Sequence, residues 1–249
     1  MTATLFFCPC RNYMGDTNEI RQNDSAFRQR FKIYEPLPFQ TPGEEIANSI
    51  LHGLAILLAV AGLVILVLKS KGYFGGVERG PLAIASYSIY SASLILMFLV
   101  STLYHAIQHE GAKRVFRVLD HSAIYVLIAG TYTPISLVGL GGNRGWVYFC
   151  IEWTLAIAGM ILYTVSRSIM RRAELVVYIL MGWAIIFGIR QLLNNVPAIS
   201  ALFLLAGGIV YTMGVFWYRR GHRRLSHVIW HIHVVAGAVC HWLSLWFMS

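Results

Sequence analysis

The sequence predicts an all-α integral membrane protein, a seven-transmembrane-helix bundle with its N-terminus in the cytoplasm and its C-terminus outside. Three observations predict it. Of 249 residues, 57% are hydrophobic and only 12% charged, about half the ~25% charged share of a soluble domain. The apolar residues gather in long blocks, most of them near the ~20 residues that carry a helix across a ~30 Å hydrocarbon core. Finally, 15 of the 20 Lys and Arg residues fall in alternate connections and five in the others. Cytoplasmic loops retain positive charge, so this threefold bias sets the orientation and requires an odd number of spans. The net charge of +9 therefore reads as an orientation signal, and nucleic acid is not an expected partner.

In chain order, residues 1–43 are a polar tail with a Pro-spaced end (Pro36, Pro38, Pro42), expected to be disordered. Leu5 to Cys8 is too short for the apolar region of a secretory signal, so the first span must direct insertion. The membrane domain, 44–249, contains seven apolar windows at about 46–68, 82–104, 119–140, 146–165, 175–189, 198–218 and 227–247. The third is interrupted by Thr131, Thr133 and Pro134, and the fifth is short. Trp146, Tyr148, Trp153, Trp217, Tyr218, Trp242 and Trp246 sit near window ends, as interfacial aromatic belts do. Cys8 and Cys10 lie in the tail, and Cys150 and Cys240 inside apolar windows, so no disulfide framework is implied.

Ionisable residues inside spans are costly and are the first candidates for function. With the orientation above, Ser101 and His105 of STLYH lie at the cytoplasmic end of the second span. Asp120 of RVLDHS lies at the cytoplasmic start of the third, and His227 and His231 of HVIWH at that of the seventh. Segments far apart in sequence thus bring three imidazoles, a carboxylate and a hydroxyl to one layer. Residues i and i+4 share a helix face, so His227 and His231 can grip one ion together with an imidazole from a neighbouring helix. A nitrogen-rich set suits zinc rather than calcium or magnesium. Three neutral imidazoles leave a position for water, which a carboxylate can orient.

Structural readings stand beside each of these. An HxxxH pair arises readily by chance, Ser101 fits a helix-packing serine, and Asp120 fits an N-cap of the third helix or a counter-ion to Arg114 or Arg117. Asn48 and His52, spaced i and i+4 at a similar depth in the first span, fit either support of the site or packing. Glu44 and Glu45 border that span, at the entrance or as favourable charges at a helix start. His241, 14 residues past His227 and so ~21 Å along the axis, is too far for the same ion. His233 points away from His231. His109, His121 and His222 fall in or beside basic loops and are expected in solvent, and Glu152 is expected near the outer end of the fourth span, reaching the interface. The basic runs RSIMRR and YRRGHRR suit anionic lipid, although orientation alone accounts for them.

Taken in order, EEIANSILHG, STLYH, RVLDHS and HVIWHIHVVAGAVCHW over seven spans resemble the haemolysin III family. That family belongs with the progestin and adipoQ receptors, the adiponectin receptors among them, and more loosely with the alkaline ceramidases. The resemblance covers about residues 34–249; the tail before it has no counterpart. It implies a seven-helix bundle with zinc held by His105, His227 and His231, Asp120 meeting the zinc-bound water and Ser101 close by. The receptors carry further sequence after the seventh span, whereas here only Ser249 follows Met248, so contacts made there are not carried over.

Three functions follow for such a multi-pass protein of the plasma or bacterial inner membrane. One is a zinc-dependent hydrolase of lipid amide or ester bonds, ceramidase-like, with membrane lipid as substrate. No HExxH glutamate is present, so Asp120 would serve as base or water-orienting group. The second is a membrane-lytic or pore-forming haemolysin, although the spans show no polar stripe of the kind a pore needs. The third is a receptor-like sensor with structural zinc.

Overall fold

The computed structural model describes residues 37–38, 40–165, 167–221 and 223–249, with side chains left out from 166 to 172. Most of the tail expected over 1–43, with Cys8 and Cys10, and also His222, lies outside the described residues. The compact unit Phe39–Ser249 holds seven helices long and apolar enough to cross a membrane: Pro42–Ser70, Pro81–Ala106, Glu110–Leu140, Gly142–Val165, Ala173–Asn195, Ala198–Tyr218 and Ser226–Met248. Each contains one of the apolar windows, and among the described residues there is no strand.

The first span opens on a capping box. Thr41 Oγ1 accepts from the Glu44 N–H at 3.3 Å, and Glu44 Oε2 accepts from the Thr41 N–H at 2.8 Å, satisfying helix N–H groups that have no intrahelical partner. The other Glu44 oxygen accepts the Leu225 N–H at 2.6 Å. Leu225 stands at φ +62°, a costly backbone for a non-glycine residue, immediately before the seventh span. One carboxylate therefore ties the starts of two spans together. At the opposite end Lys69 donates to the Trp246 carbonyl and Arg79 to that of Met248, taking up carbonyls that the last turn of the seventh span leaves free.

The third span departs most from the sequence reading. It begins at Glu110, with the His109 ring accepting the Ala112 N–H at 3.3 Å, nine residues before the window start at 119. Its first turns carry Glu110, Lys113, Arg114 and Arg117, too polar for a hydropathy window yet amphipathic enough to be helical. Asp120 is consequently inside the helix, and the N-cap reading of it is wrong. Thr131 and Thr133 do not interrupt the helix, because their hydroxyls fold back onto the carbonyls of Leu127 and Ala129. Pro134 does: the helix widens to a π-turn over Ile135–Leu140, since proline removes a donor and its ring crowds the preceding turn.

The fifth span is longer than its window but broken. The α-helix ends at Gly182, a 3-10 segment runs Ala184–Gly188, and a short helix, Ile189–Asn195, completes the crossing. The Tyr132 hydroxyl bridges the break, donating to the Gly182 carbonyl at 3.0 Å and accepting the Ile185 N–H at 2.8 Å. Backbone groups released at membrane depth need such a partner.

The first span packs on the second and seventh, the third on the second and fourth, and the sixth on the seventh. The last contact is close because a Cβ at Gly207, Gly214 or Gly237 would run into His241, Trp230 or Tyr211 across the seam. Large aliphatic side chains such as Leu57 and Leu58 face outward, while Ser, Tyr and His side chains are buried.

Candidate metal centre

Glu45, Asn48 and His52 occupy one face of the first span, at spacings of three and four. That face is turned to the ends of the second and seventh spans by the Glu44 to Leu225 tie and by Ser49 on the Thr102 carbonyl. Three imidazoles, of His105, His227 and His231, meet there, each offering a ring nitrogen within 4.8 Å of the others. His105 and His231 are 1% and 3% exposed.

The hydrogen bonds around these rings narrow which nitrogens are available. Glu45 pairs with Lys113 at 2.7 Å through one oxygen and with His105 Nδ1 at 2.7 Å through the other. An ionised carboxylate only accepts, so His105 Nδ1 carries the proton and Nε2 a lone pair. His231 Nδ1 lies 2.8 Å from His52 Nε2, so His52 can do for His231 what Glu45 does for His105. The two Nε2 atoms face each other at 3.0 Å: both present lone pairs when His52 accepts from His231, and His231 donates to His105 when His52 is the donor. His227 Nε2 is buried with no hydrogen-bond partner among the described residues. A buried nitrogen without a partner, beside two further imidazole nitrogens, is unfavourable in the bare protein and is what a shared cation relieves. Tetrahedral zinc sites place nitrogen at ~2.0–2.1 Å from the ion, so two ligating nitrogens stand no more than ~4.2 Å apart; His105 and His231 Nε2 meet this at 3.0 Å, and His227, with a ring nitrogen within 4.8 Å of theirs, meets it once its side chain closes on them. The residues present fit a metal, and the three histidines form a possible metal site.

Asp120 interacts with Ser101, His105 and His121. Ser101 is fully buried, and its hydroxyl has no partner of ordinary geometry among the described residues. Tyr104 tilts against the His105 ring at 4.7 Å, Phe98 stands edge-on to His52 at 5.0 Å, and Tyr218 lies 6.1 Å from His227. These rings hold the imidazoles in place by packing.

Several residues read otherwise from the sequence. His121 is not a solvated loop residue. Its side chain is 12% exposed, and Nδ1 lies 3.1 Å from Oε2 of Glu174, itself 2% exposed. Glu152 does not reach the interface: it is fully buried midway along the fourth span, on a face with Gly145, Ala156, Gly159 and Tyr163, and neither oxygen has a partner among the described residues. Glu45 and Lys113 were not expected to support a ligand. The three-and-four spacing of Glu45, Asn48 and His52 is the signal that identifies the first-span face. His109 is exposed, and His233 turns back onto its own helix at the Ile229 carbonyl. His241 packs between the sixth and seventh spans, against Tyr211.

A cavity of 460 Å³, almost wholly apolar, lies between the third, fifth, sixth and seventh spans. Ile124, Tyr178 and Trp230 line it on the side of the histidines, and His241, Tyr132 and Leu193 line it farther along the spans.

Comparison with known proteins agrees with this architecture. A model of the family described as haemolysin-III related matches residues 40–242. The chain is similar to Hemolysin-3 of Bacillus cereus, 41% identical over 197 residues that cover 78% of this chain and 87% of that protein. It is also similar to the Hemolysin-3 homolog of Bacillus subtilis (strain 168), at 38% over 197 residues, 78% of this chain and 89% of that one. The human monocyte to macrophage differentiation factor is 26% identical over 210 residues, 82% of this chain and 83% of its own length. The match takes in the first six spans, most of the seventh and the three imidazoles, and this multi-pass membrane protein belongs to the haemolysin-III related family.

Proposed function

We propose that the chain is a zinc-dependent hydrolase of lipid amide or ester bonds, working near the cytoplasmic face. The observation that carries this reading is the juxtaposition of an electron-rich imidazole cluster, lacking a partner for His227 Nε2, with the carboxylate of Asp120. An apolar cavity approaches the same layer. Zinc held by His105, His227 and His231 would supply a Lewis acid that makes water nucleophilic at neutral pH. Asp120 accepts the proton of the attacking water, and Ser101 positions that carboxylate. The cavity takes an acyl chain and excludes water from it. Membrane lipid is thus both surroundings and substrate.

The test is metal analysis and turnover of the protein in lipid nanodiscs, wild type beside His105→Ala, His227→Ala and His231→Ala. Zinc and hydrolysis of a long-chain N-acyl amide should both be lost in each variant. Equal zinc in all four would remove the ligand assignment. Bound zinc without turnover of any acylated lipid would remove the hydrolase and favour a structural metal.

The names of the bacterial relatives favour a second reading, membrane lysis. Dye release from liposomes that persists in His231→Ala would support it over the enzyme.

A further inference from the structure

A carboxyl group inside a span is costly when ionised, and when neutral it still has an O–H to place. Glu152, in FCIEWTLAIAG, is such a group. It is fully buried, and neither oxygen has a partner among the described residues. Close contacts two turns away on either side locate it. A Cβ on Gly145 would run into the Ser136 carbonyl, and one on Gly159 into the Tyr125 ring. Glu152, midway between these glycines, therefore faces the third span between Tyr125 and Ser136. Its neighbour Trp153 donates to the Thr133 hydroxyl there at 3.0 Å, and Glu152 itself acts electrostatically on Tyr132. The Ser136 hydroxyl, one turn from Tyr132, is also fully buried and without a partner among the described residues.

Among the described residues, no cation stands by to offset a charge on Glu152. The third span, its π-turn and the fifth span pack on the fourth. From the third, Tyr132 is the titratable side chain at this depth, and the π-turn brings none. Tyr125, with Tyr178 of the fifth span at 4.6 Å, stands two turns away at Gly159. His121 and Glu174 lie farther still, beside Tyr163, ~16 Å along the axis from Glu152. On its own helix Tyr148 lies one turn away, and Arg144, ~12 Å away, donates to Gln191 at 3.1 Å. Ser136 Oγ adds one unpartnered side-chain oxygen near this depth, too few for the oxygen cage that a hard metal cation takes. A proton needs a single oxygen, and is the cation that fits.

We propose that Glu152 is a proton-binding site inside the membrane, and that its proton keeps the break of the fifth span closed. The link is the Tyr132 hydroxyl, whose single proton goes to the Gly182 carbonyl while its oxygen accepts the Ile185 N–H. While Glu152 keeps its own proton, it makes no demand on Tyr132. Once ionised, it is the strongest acceptor at this depth and draws the Tyr132 proton away from Gly182. The break then loses a tie where backbone groups need partners. Tyr132, Gly182, Trp183, Ile185, Ile186 and Ile189 all line the apolar cavity, so proton release by Glu152 loosens a wall of that cavity. The site needs neither the metal nor hydrolysis.

Two measurements on the full chain in nanodiscs test it: labelling by dicyclohexylcarbodiimide and hydrogen exchange. The carbodiimide adds to a carboxylic acid and not to a carboxylate. Peptide mapping should find label on Glu152 that is lost as pH is raised and is unchanged when sodium replaces potassium. The closed break holds the proton and the open one has released it, so raising the pH favours opening. Amides from Trp183 to Gly188 should therefore lose protection by up to about tenfold per pH unit relative to Glu152→Gln, which keeps the shape and cannot ionise. Tyr132→Phe should keep the label on Glu152 and abolish that pH dependence. No label on Glu152 at any pH, or protection of it by sodium, would overturn the proton site. Label that falls with pH while wild type and Glu152→Gln exchange alike would overturn the link to the break.

Discussion

At the scale of single residues, the candidate site is legible in the sequence as far as its three histidines and opaque beyond them. His105, His227 and His231 stand out because imidazoles within spans are costly and because orientation puts all three at one depth. Glu45 does not stand out, since a glutamate at a helix start is explained by the dipole alone. Only the structure shows that it ties Lys113 to His105. Its role yields a prediction. A carboxylate behind a ligating histidine sets the tautomer and strengthens the donor, and losing one typically costs 10–100-fold in metal affinity. Glu45→Gln should therefore weaken zinc binding by about that factor in a competition titration with a chelator. It should leave the helical content unchanged by circular dichroism. Affinity equal to wild type would show that Glu45 serves only Lys113.

At the scale of elements, the spans are legible because a bilayer imposes their length, while their irregularities are not. Hydropathy does not reveal that the third helix continues through Lys113, Arg114 and Arg117 before it enters the apolar window, so Asp120 reads falsely as a cap and His121 as a loop residue. Nor does it reveal that the fifth crossing breaks after Gly182, because a shortened apolar run looks like a short helix. The break depends on Tyr132, whose hydroxyl satisfies a carbonyl and an N–H at once. Removing a partner from buried polar groups costs ~1–3 kcal/mol. Tyr132→Phe should lower thermal stability in nanodiscs by a few degrees, on the order of 2–4 °C per kcal/mol for a chain of this size, with zinc content unchanged. A melting point equal to wild type would mean that water takes over both groups.

At the scale of the whole molecule, the decisive quantity is which face carries the histidines. At the end that carries the histidines, the first turns of the third span and the connections after the fourth and sixth spans hold Lys113, Arg114, Arg117, Arg167, Arg171, Arg172, Arg219, Arg220, Arg223 and Arg224. The connections at the other end hold Lys69, Lys71, Arg79, Arg144 and Arg190, of which Lys69 and Arg79 are engaged with carbonyls of the seventh span. Each Lys or Arg near an anionic inner leaflet contributes ~1 kcal/mol to retention there, so the asymmetry amounts to several kcal/mol in favour of histidines inside. On the hydrolase proposal, the orientation decides where a polar product leaves and which pool of metal ions the site samples. In a variant with its cysteines replaced, a membrane-impermeant maleimide should label Ser249→Cys in intact cells, and Gly221→Cys, in the turn before the seventh span, only after permeabilisation. The reverse pattern would put the metal centre at the outer face. The proposed site with Asp120 would then work in an external medium, and the charge count would have to be explained by lipid contacts alone.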